Sequence, residues 1–268
     1  MELPFYLSQA FAQHALLAAA VVAVLCGIIG PFVIMRGMAF AVHGTSELAF
    51  TGAAAGLLIG TSPLIGALGG TLLFAVIIGF LGVRQRERDS VIGVMLAFGL
   101  GLGVLLLSFY HGFATEATNI LFGNIFGVSS GQLVVLVLMS IAATVAMVVM
   151  YRPLLFASVD PEVAEARGVP IRLVGLLFLV ILAFAVTEAA QIVGTLLVLS
   201  LAITPAAAAQ RLSARPMAVI ALSITFALIA SVGGLLASLA SGNIKPSVGI
   251  TFISFGIYIL ARVIGQRS

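Results

Sequence analysis

The feature that most constrains this sequence is a series of long apolar runs that occupies almost all of its 268 residues. A helix needs about 20 consecutive apolar residues to cross the roughly 30 Å hydrocarbon core of a bilayer. The runs approach or exceed that length, and the chain is 62% hydrophobic and only 8% charged. Because such a chain has no water-soluble core, residues 1–268 are predicted to form a single integral membrane domain that is all-α and polytopic.

We interpret the runs as about eight to nine membrane-spanning helices. The number depends on residues 187–191, where a tight corner is predicted to separate two spans. The first residues lack the basic segment of a signal peptide, so the N-terminus is expected to remain on the protein. The predicted spans are 15–35, 43–60, 63–82, 90–108, 131–151, 171–187, 191–208, 217–238 and 247–262.

The positions of the basic residues predict how the chain is oriented. Short loops that are rich in Lys and Arg remain in the cytoplasm. When the segment RQRERD (84–89) is placed there, every arginine falls on the same side, and Lys245 alone lies outside. The N-terminus is then external and the C-terminus cytoplasmic. The net charge of +3 therefore reports orientation, and no nucleic-acid partner is expected.

Two loops have patterns of their own. The cytoplasmic segment 157–172 is predicted to contain a short capped helix, which is either a solvated connector or a surface on which a cytoplasmic protein acts. The external segment 114–132 fits a re-entrant or interfacial helix, or an ordinary loop. In segment 157–172, Asp160 is predicted to cap the short helix and Pro161 to occupy its first position. Glu162 and Glu165 suit the positive end of the helix dipole, and Gly168 and Pro170 end the helix.

His43 and Glu47 are the most unusual residues within the predicted spans, because ionisable side chains there are expensive and usually functional. They are four residues apart and share one face of a helix. An imidazole and a carboxylate can hold one divalent ion, and these ligands suit Zn, Mn or Fe(II), whereas the lack of nearby thiols argues against Cu(I). The alternative is a polar pair that stabilises a bend.

Glu188 and Gln191 are predicted to lie at the outer corner between two spans. A solvated interfacial carboxylate is the simpler interpretation of Glu188. It is also the candidate for a third metal ligand beside His43 and Glu47.

The sequence contains no nucleotide-binding loop, HExxH motif, nucleophile elbow or kinase signature. We therefore expect no catalytic residues and no enzyme activity in this chain. A pump built on it must take its energy from a partner protein or from an ion gradient.

Five segments occur in an order that resembles a known family, the permease subunits of bacterial ABC importers for zinc, manganese or iron(II) (ABC-3 type metal transporter permeases). The resemblance covers roughly residues 17–262 and implies a type II ABC importer-like permease. The segments are GIIGPFVIMRGMAFAVHGTSELAFTGAAAGLLIG, NILFGNIFGVS, DPEVAEARGVP, QIVGTLLVLSLAITPAAAAQRLS and NIKPSVG.

The resemblance implies a homodimer of permeases in the bacterial cell membrane, two cytoplasmic ATP-binding subunits and an external metal-binding solute-binding protein. It also implies a transported divalent ion, zinc or manganese foremost and iron after them, and no permanently bound cofactor. Residues 160–168 then resemble a coupling helix seated in the ATPase. Its contact residues are Asp160, Glu162, Glu165, Arg167 and Gly168.

The sequence departs from the family at two places. Where most members carry an aspartate and then a histidine, this chain has His43 and then Glu47, so the ligand types and the spacing persist in reversed order. The acidic residue usual near the start of the last span is replaced around Asn243 to Pro246. Lys245, which lies there, is expected to face lipid headgroups or solvent, since a fixed cation on the path would repel a metal ion.

Other functions are compatible with parts of the pattern. A gradient-driven secondary transporter could use His43 and Glu47 as a proton relay, and a channel or scaffold would bind no substrate. Neither has a use for a cytoplasmic ATPase-docking helix at residues 160–168. Siderophore and cobalamin permeases are longer than this chain.

Overall fold

The computed structural model describes residues 9–81, 85–112, 119, 121–195, 198–241 and 244–265. In these ranges the chain is helical, with no strand. The predicted all-α polytopic fold is confirmed. The chain ends, most of the segment 114–120, residue Asn243 and part of the basic segment at 84–89 lie outside the described residues.

Eleven α-helices and one short 3-10 turn follow one another along the described chain. The long helices are joined mainly by short turns, and the six-residue helix Pro161–Ala166 separates two of them. The helices are α1 (Ala10–Met35), α2 (Ala39–Leu58), α3 (Pro63–Leu81), α4 (Gln85–Ser108), α5 (Ser130–Val159), α6 (Pro161–Ala166), α7 (Ile171–Val193), α8 (Val198–Ala202), α9 (Thr204–Leu212), α10 (Pro216–Ser241) and α11 (Pro246–Gly265), and the 3-10 turn is Ile125–Gly127.

Seven of the described helices are long and apolar enough to cross a membrane, namely α1, α3, α4, α5, α7, α10 and α11. Helix α2 has a comparable length of 20 residues, but its histidine, glutamate and hydroxyl residues make it less apolar. Within the described ranges the bundle therefore contains eight long helices, the short pair α8–α9 and the short helix α6.

The predicted corner at 187–191 is wrong. Helix α7 runs through these positions to Val193 and ends at Gly194, whose φ of 82° is a left-handed conformation that favours glycine. The predicted span 191–208 is accordingly divided between the end of α7 and the two short helices that follow it.

Helices α1 and α7 form the centre of the bundle. In their apolar windows 67% of the residues are buried, against 17% in α4 and α11. The outer helices therefore present apolar faces that suit lipid or another membrane protein, while α1 and α7 carry the core.

Helices α2 and α3 approach each other backbone to backbone. A Cβ atom added at Gly52 would meet the carbonyl oxygen of Gly66, and one at Gly70 would meet the carbonyl oxygen of Leu48. Small residues at such crossings allow close helix contact in membranes, where no hydrophobic force drives helices together. The glycines thus fix α2 against α3.

The charged residues are divided unevenly between the two ends of the bundle. One end carries α6 and is here called the α6 end. The opposite end carries Lys245, which is exposed and lies 4.7 Å from the centre of the Phe122 ring. The arginines with described side chains all lie in the half that carries α6, and they are Arg36, Arg152, Arg167, Arg172, Arg211, Arg215 and Arg262.

Candidate functional site

His43 and Glu47 lie in the first half of α2, which begins at Ala39 after a turn at Gly37. The helix is unbroken through both residues, so they occupy one face at i and i+4, as predicted. Glu47 is only 3% exposed and His43 is half-buried. A carboxylate and an imidazole therefore stand side by side within the membrane-embedded part of the bundle.

The hydroxyl groups around this pair are already bonded to the backbone of α2 itself. Thr45 Oγ1 donates to the Ala41 carbonyl at 2.7 Å, and Ser46 Oγ donates to the His43 carbonyl at 2.8 Å. Thr51 Oγ1 lies 3.0 Å from the Glu47 carbonyl oxygen and 2.5 Å from the Gly99 carbonyl oxygen on α4. These hydrogen bonds stabilise α2, but none of them involves the side chain of His43 or Glu47.

His43 Nδ1 and Glu47 Oε2 are buried atoms for which the described part of the chain offers no hydrogen-bond partner. Buried polar atoms in folded proteins almost always have one. One nitrogen and one oxygen ligand are thus available together in a confined place, and a divalent cation would satisfy both.

Glu188 is not the solvated corner residue that the sequence predicted. Because α7 continues past it, its side chain is enclosed by the neighbouring helices and is 0% exposed. It accepts a hydrogen bond from Ser140 Oγ on α5. Its Oε1 atom has no hydrogen-bond partner among the residues with described positions.

The structure does not bring Glu188 together with His43 and Glu47. Within the described ranges, no group of three or more His, Cys, Asp and Glu side chains is placed to hold a metal ion. The carboxyl group of Glu188 is instead hydrogen-bonded to Ser140 on α5. Gln191, which lies three residues further along α7, lines a cavity.

That cavity has a volume of about 250 Å³ and lies between α2, α3, α5 and α7, toward the end opposite α6. We call it the amide cavity, since four side-chain amides reach it. Its lining also includes hydroxyls and small apolar residues. The polar lining residues are Ser62, Asn119, Asn124, Gln132, Thr187, Gln191 and Thr195.

The segment before α5 is fastened to the end of α7. Asn124 N donates to the Gln191 carbonyl at 3.1 Å. Gly123 (φ 76°) and Gly194 pack so closely that a Cβ on either would meet backbone atoms of the other segment. In the part of this segment that the structure describes, Ile125 and Val128 are buried, whereas Asn124 and Gly127 are exposed. The cavity was not predicted from the sequence, because it depends on where α7 ends.

Helix α6 has the predicted design. Asp160 Oδ1 accepts a hydrogen bond from Val163 N at 3.0 Å, Pro161 occupies the first turn, and Gly168 follows the helix with φ 83°. Ala164 is buried against the bundle, whereas the charged side chains are exposed. The result is a short charged helix that projects from one end of the molecule. The exposed charged residues of the helix and its two flanking positions are Asp160, Glu162, Glu165 and Arg167.

Comparison with known proteins gives a consistent result. The manganese transport system membrane protein MntC of Halalkalibacterium halodurans is 32% identical over 256 residues, which cover 95% of this chain and 87% of that protein. The manganese import system permease protein ScaB of Streptococcus gordonii is 31% identical over 258 residues, which cover 96% of this chain and 92% of that protein.

Two solved structures share the architecture. PsaBC from Streptococcus pneumoniae in complex with Fab matches with a TM-score of 0.87 and 31% identity, covering 97% of this chain and 94% of that one. A metal-chelate type ABC transporter in an inward-facing conformation matches with a TM-score of 0.68 and 17% identity, covering 92% and 84%, and supports the fold alone.

The chain thus has the architecture of a multi-pass transport permease of the ABC class, as its similarity to PsaBC over 97% of its length shows. Residues 8–265 match the ABC 3 transport family, and the chain belongs to it. It is the membrane-spanning subunit of an ABC transporter, and ATP is hydrolysed by a separate partner chain. The gradient-driven interpretation is thereby set aside.

Proposed function

We propose that this permease imports Mn²⁺ and that His43 and Glu47 bind the ion transiently on its way through the bundle. The observation that carries the proposal is the pair of buried ligand atoms, His43 Nδ1 and Glu47 Oε2, for which the described residues provide no partner. Manganese is the cargo because MntC and ScaB, both similar over most of this chain, are named for manganese.

The chemistry of the pair suits a transported ion. An ionised carboxylate inside a membrane is strongly disfavoured, and a bound divalent cation would neutralise it. Two protein ligands bind a metal ion weakly. Structural zinc sites, in contrast, have four protein ligands in a tetrahedral arrangement and no open position. Water supplies the remaining ligands, since no third His, Cys, Asp or Glu of the described residues joins the pair.

The assembly we propose contains two copies of the permease, two cytoplasmic ATP-binding subunits and an external metal-binding solute-binding protein. Support comes from the similarity to PsaBC and from the exposed charges of α6. In this assembly α6 is the helix that meets the ATPase, through Asp160, Glu162, Glu165, Arg167 and Gly168.

The orientation we propose places the α6 end in the cytoplasm of a bacterial cell. The arginines with described side chains all lie in that half, as expected for the cytoplasmic side of a membrane protein. Helix α1 starts at the other end, which makes the N-terminus external, and α11 ends at the α6 end, which makes the C-terminus cytoplasmic.

The test is Mn²⁺ uptake by the assembled transporter in proteoliposomes. His43→Ala and Glu47→Gln should each abolish uptake without reducing assembly with the partner subunits. Glu188→Gln is the matched control, because it changes the other buried glutamate while keeping an acceptor for Ser140, and it should transport normally. Normal uptake by both pair variants would contradict the proposed ion site.

A further inference from the structure

We propose that the amide cavity is a second cation site, which holds a hydrated divalent ion through uncharged oxygen atoms at a place separate from His43 and Glu47. The inference rests on the proposed function, since it supposes that a divalent ion crosses this bundle. It concerns different residues and a different kind of binding.

The side chain of Thr195 indicates that the cavity binds a ligand. It is 3% exposed, it lines the cavity, and its Oγ1 atom has no hydrogen-bond partner in the described part of the chain. Thr187 lines the same cavity, but its hydroxyl donates to the Ala183 carbonyl at 2.8 Å and meets Thr71 Oγ1 at 3.0 Å. A buried hydroxyl normally has such partners. Thr195 therefore has both a donor and an acceptor left for a ligand or its water.

The polar lining leads inward from an exposed rim. Ser62 and Asn124 are exposed, whereas Thr187 and Thr195 are buried. Asn124 is fixed beside Gln191 by the backbone hydrogen bond between these two residues. The cavity thus has polar residues both at its exposed rim and in its buried part.

The size of the cavity suits an ion that keeps its water. A volume of about 250 Å³ corresponds to roughly eight water molecules at about 30 Å³ each. A divalent ion with six waters fits within that space. The ion can therefore enter without first losing its hydration shell.

The lining contains amide and hydroxyl oxygens and no charged, imidazole or thiol side chain among the described lining residues. Oxygen ligands of this type suit hard cations such as Mn²⁺, Mg²⁺ and Ca²⁺, whereas imidazole and thiolate favour zinc. Uncharged oxygens also bind weakly, so that the ion can leave again. The cavity would therefore bind Mn²⁺ with low affinity and would not bind Zn²⁺ more tightly than Mn²⁺.

The cavity and the ionisable pair are separate sites on α2. Ala49 and Ala53 line the cavity, and Glu47 precedes Ala49 by two residues. Two residues correspond to a rotation of about 200° around the helix, which puts Glu47 on the opposite face. Either site can therefore be altered while the other keeps its residues.

The experiment measures Mn²⁺ uptake by the assembled transporter in proteoliposomes. Thr195→Val with Gln191→Met removes two oxygen ligands at nearly constant volume. It should raise KM for Mn²⁺ about tenfold with kcat unchanged, since the lost interaction is one of binding alone. Ser223→Ala is the matched control, because Ser223 Oγ is also buried without a partner in the described chain but lies on α10, away from the cavity. It should leave KM unchanged.

Binding of Mn²⁺ alone to the detergent-solubilised complex, followed by electron paramagnetic resonance, separates the two proposals. The Glu47→Gln complex should retain a weak site that disappears when Thr195→Val and Gln191→Met are added. Absence of uptake by the wild type would contradict the proposed function. The Mn²⁺ binding measurement would still show whether the cavity binds the ion. If the double variant fails to assemble, Gln191→Met alone should raise KM, and Thr195→Ser should not. An unchanged KM and an unchanged weak site overturn the inference.

Discussion

Ser140 on α5 donates a hydrogen bond to Glu188 on α7, where Glu188 is fully buried at the centre of the bundle. The two residues are 48 positions apart, and each lies on a long apolar helix. The bond therefore joins two spans through a carboxyl group that has no contact with water.

Removing this hydroxyl should destabilise the protein. In Ser140→Ala the buried carboxyl of Glu188 loses its donor, which should lower the free energy of unfolding by about 1–3 kcal/mol. Thermal denaturation of the detergent-solubilised protein measures the loss. Ser140→Ala with Glu188→Met should recover most of it, because replacing both partners by apolar groups removes the unsatisfied atom. An equally unstable double variant would assign the effect to packing.

The two glycines Gly66 and Gly69 of α3 should respond differently to alanine. A Cβ at Gly66 would meet the carbonyl oxygen of Gly52 on α2, whereas one at Gly69 would find nothing within 4 Å. Gly66→Ala should destabilise by about 1–3 kcal/mol, and Gly69→Ala should be neutral or stabilise by up to about 1 kcal/mol. The melting temperatures of the two variants measure this difference. Equal melting temperatures would contradict the close approach of α2 and α3.

Helix α10 offers a direct test of orientation, because its two ends lie on opposite sides of the bundle. Arg215 precedes the helix, Ser241 ends it, and both are exposed. Arg215→Cys should react with an impermeant thiol reagent only from the cytoplasmic side, and Ser241→Cys only from outside. The native Cys26 is buried and serves as the unlabelled control. The reverse labelling pattern would invert the proposed topology.

Helix α6 should lose its partner when its charges are inverted. Asp160→Arg with Glu165→Arg reverses two exposed charges and removes the cap, which alone contributes about 1 kcal/mol to the helix. ATPase subunits should then no longer copurify with the permease, and uptake should fail. Asp160→Asn is the control, because asparagine is an equally good cap. Unchanged copurification of the charge-reversed variant would make α6 a plain connector.

The sequence predicted α6 residue by residue, because its signals are local. Asp160, Pro161 and Gly168 act on the few peptide groups next to them. The same is true of His43 and Glu47, whose shared face requires only that α2 is a helix. These features could be predicted without knowing what packs around them.

Glu188 could not be placed in this way. A glutamate near the end of an apolar run is compatible with a solvated corner and equally with a buried helix position, and the choice depends on Ser140, which is remote in sequence. The amide cavity has the same character, since Thr195 and Asn124 line it together only because α7 ends at Gly194. Such sites are properties of tertiary packing.

The backbone contact between α2 and α3 has a mechanical consequence. Where Gly52 faces Gly66 there is no side chain that could rotate to let one helix slide past the other. The two helices should therefore move as one rigid lever, and the ion-binding pair should travel with α3. A passage beside Glu47 must then open through movement of the helices that pack on the other faces of α2, relative to the rigid pair α2–α3.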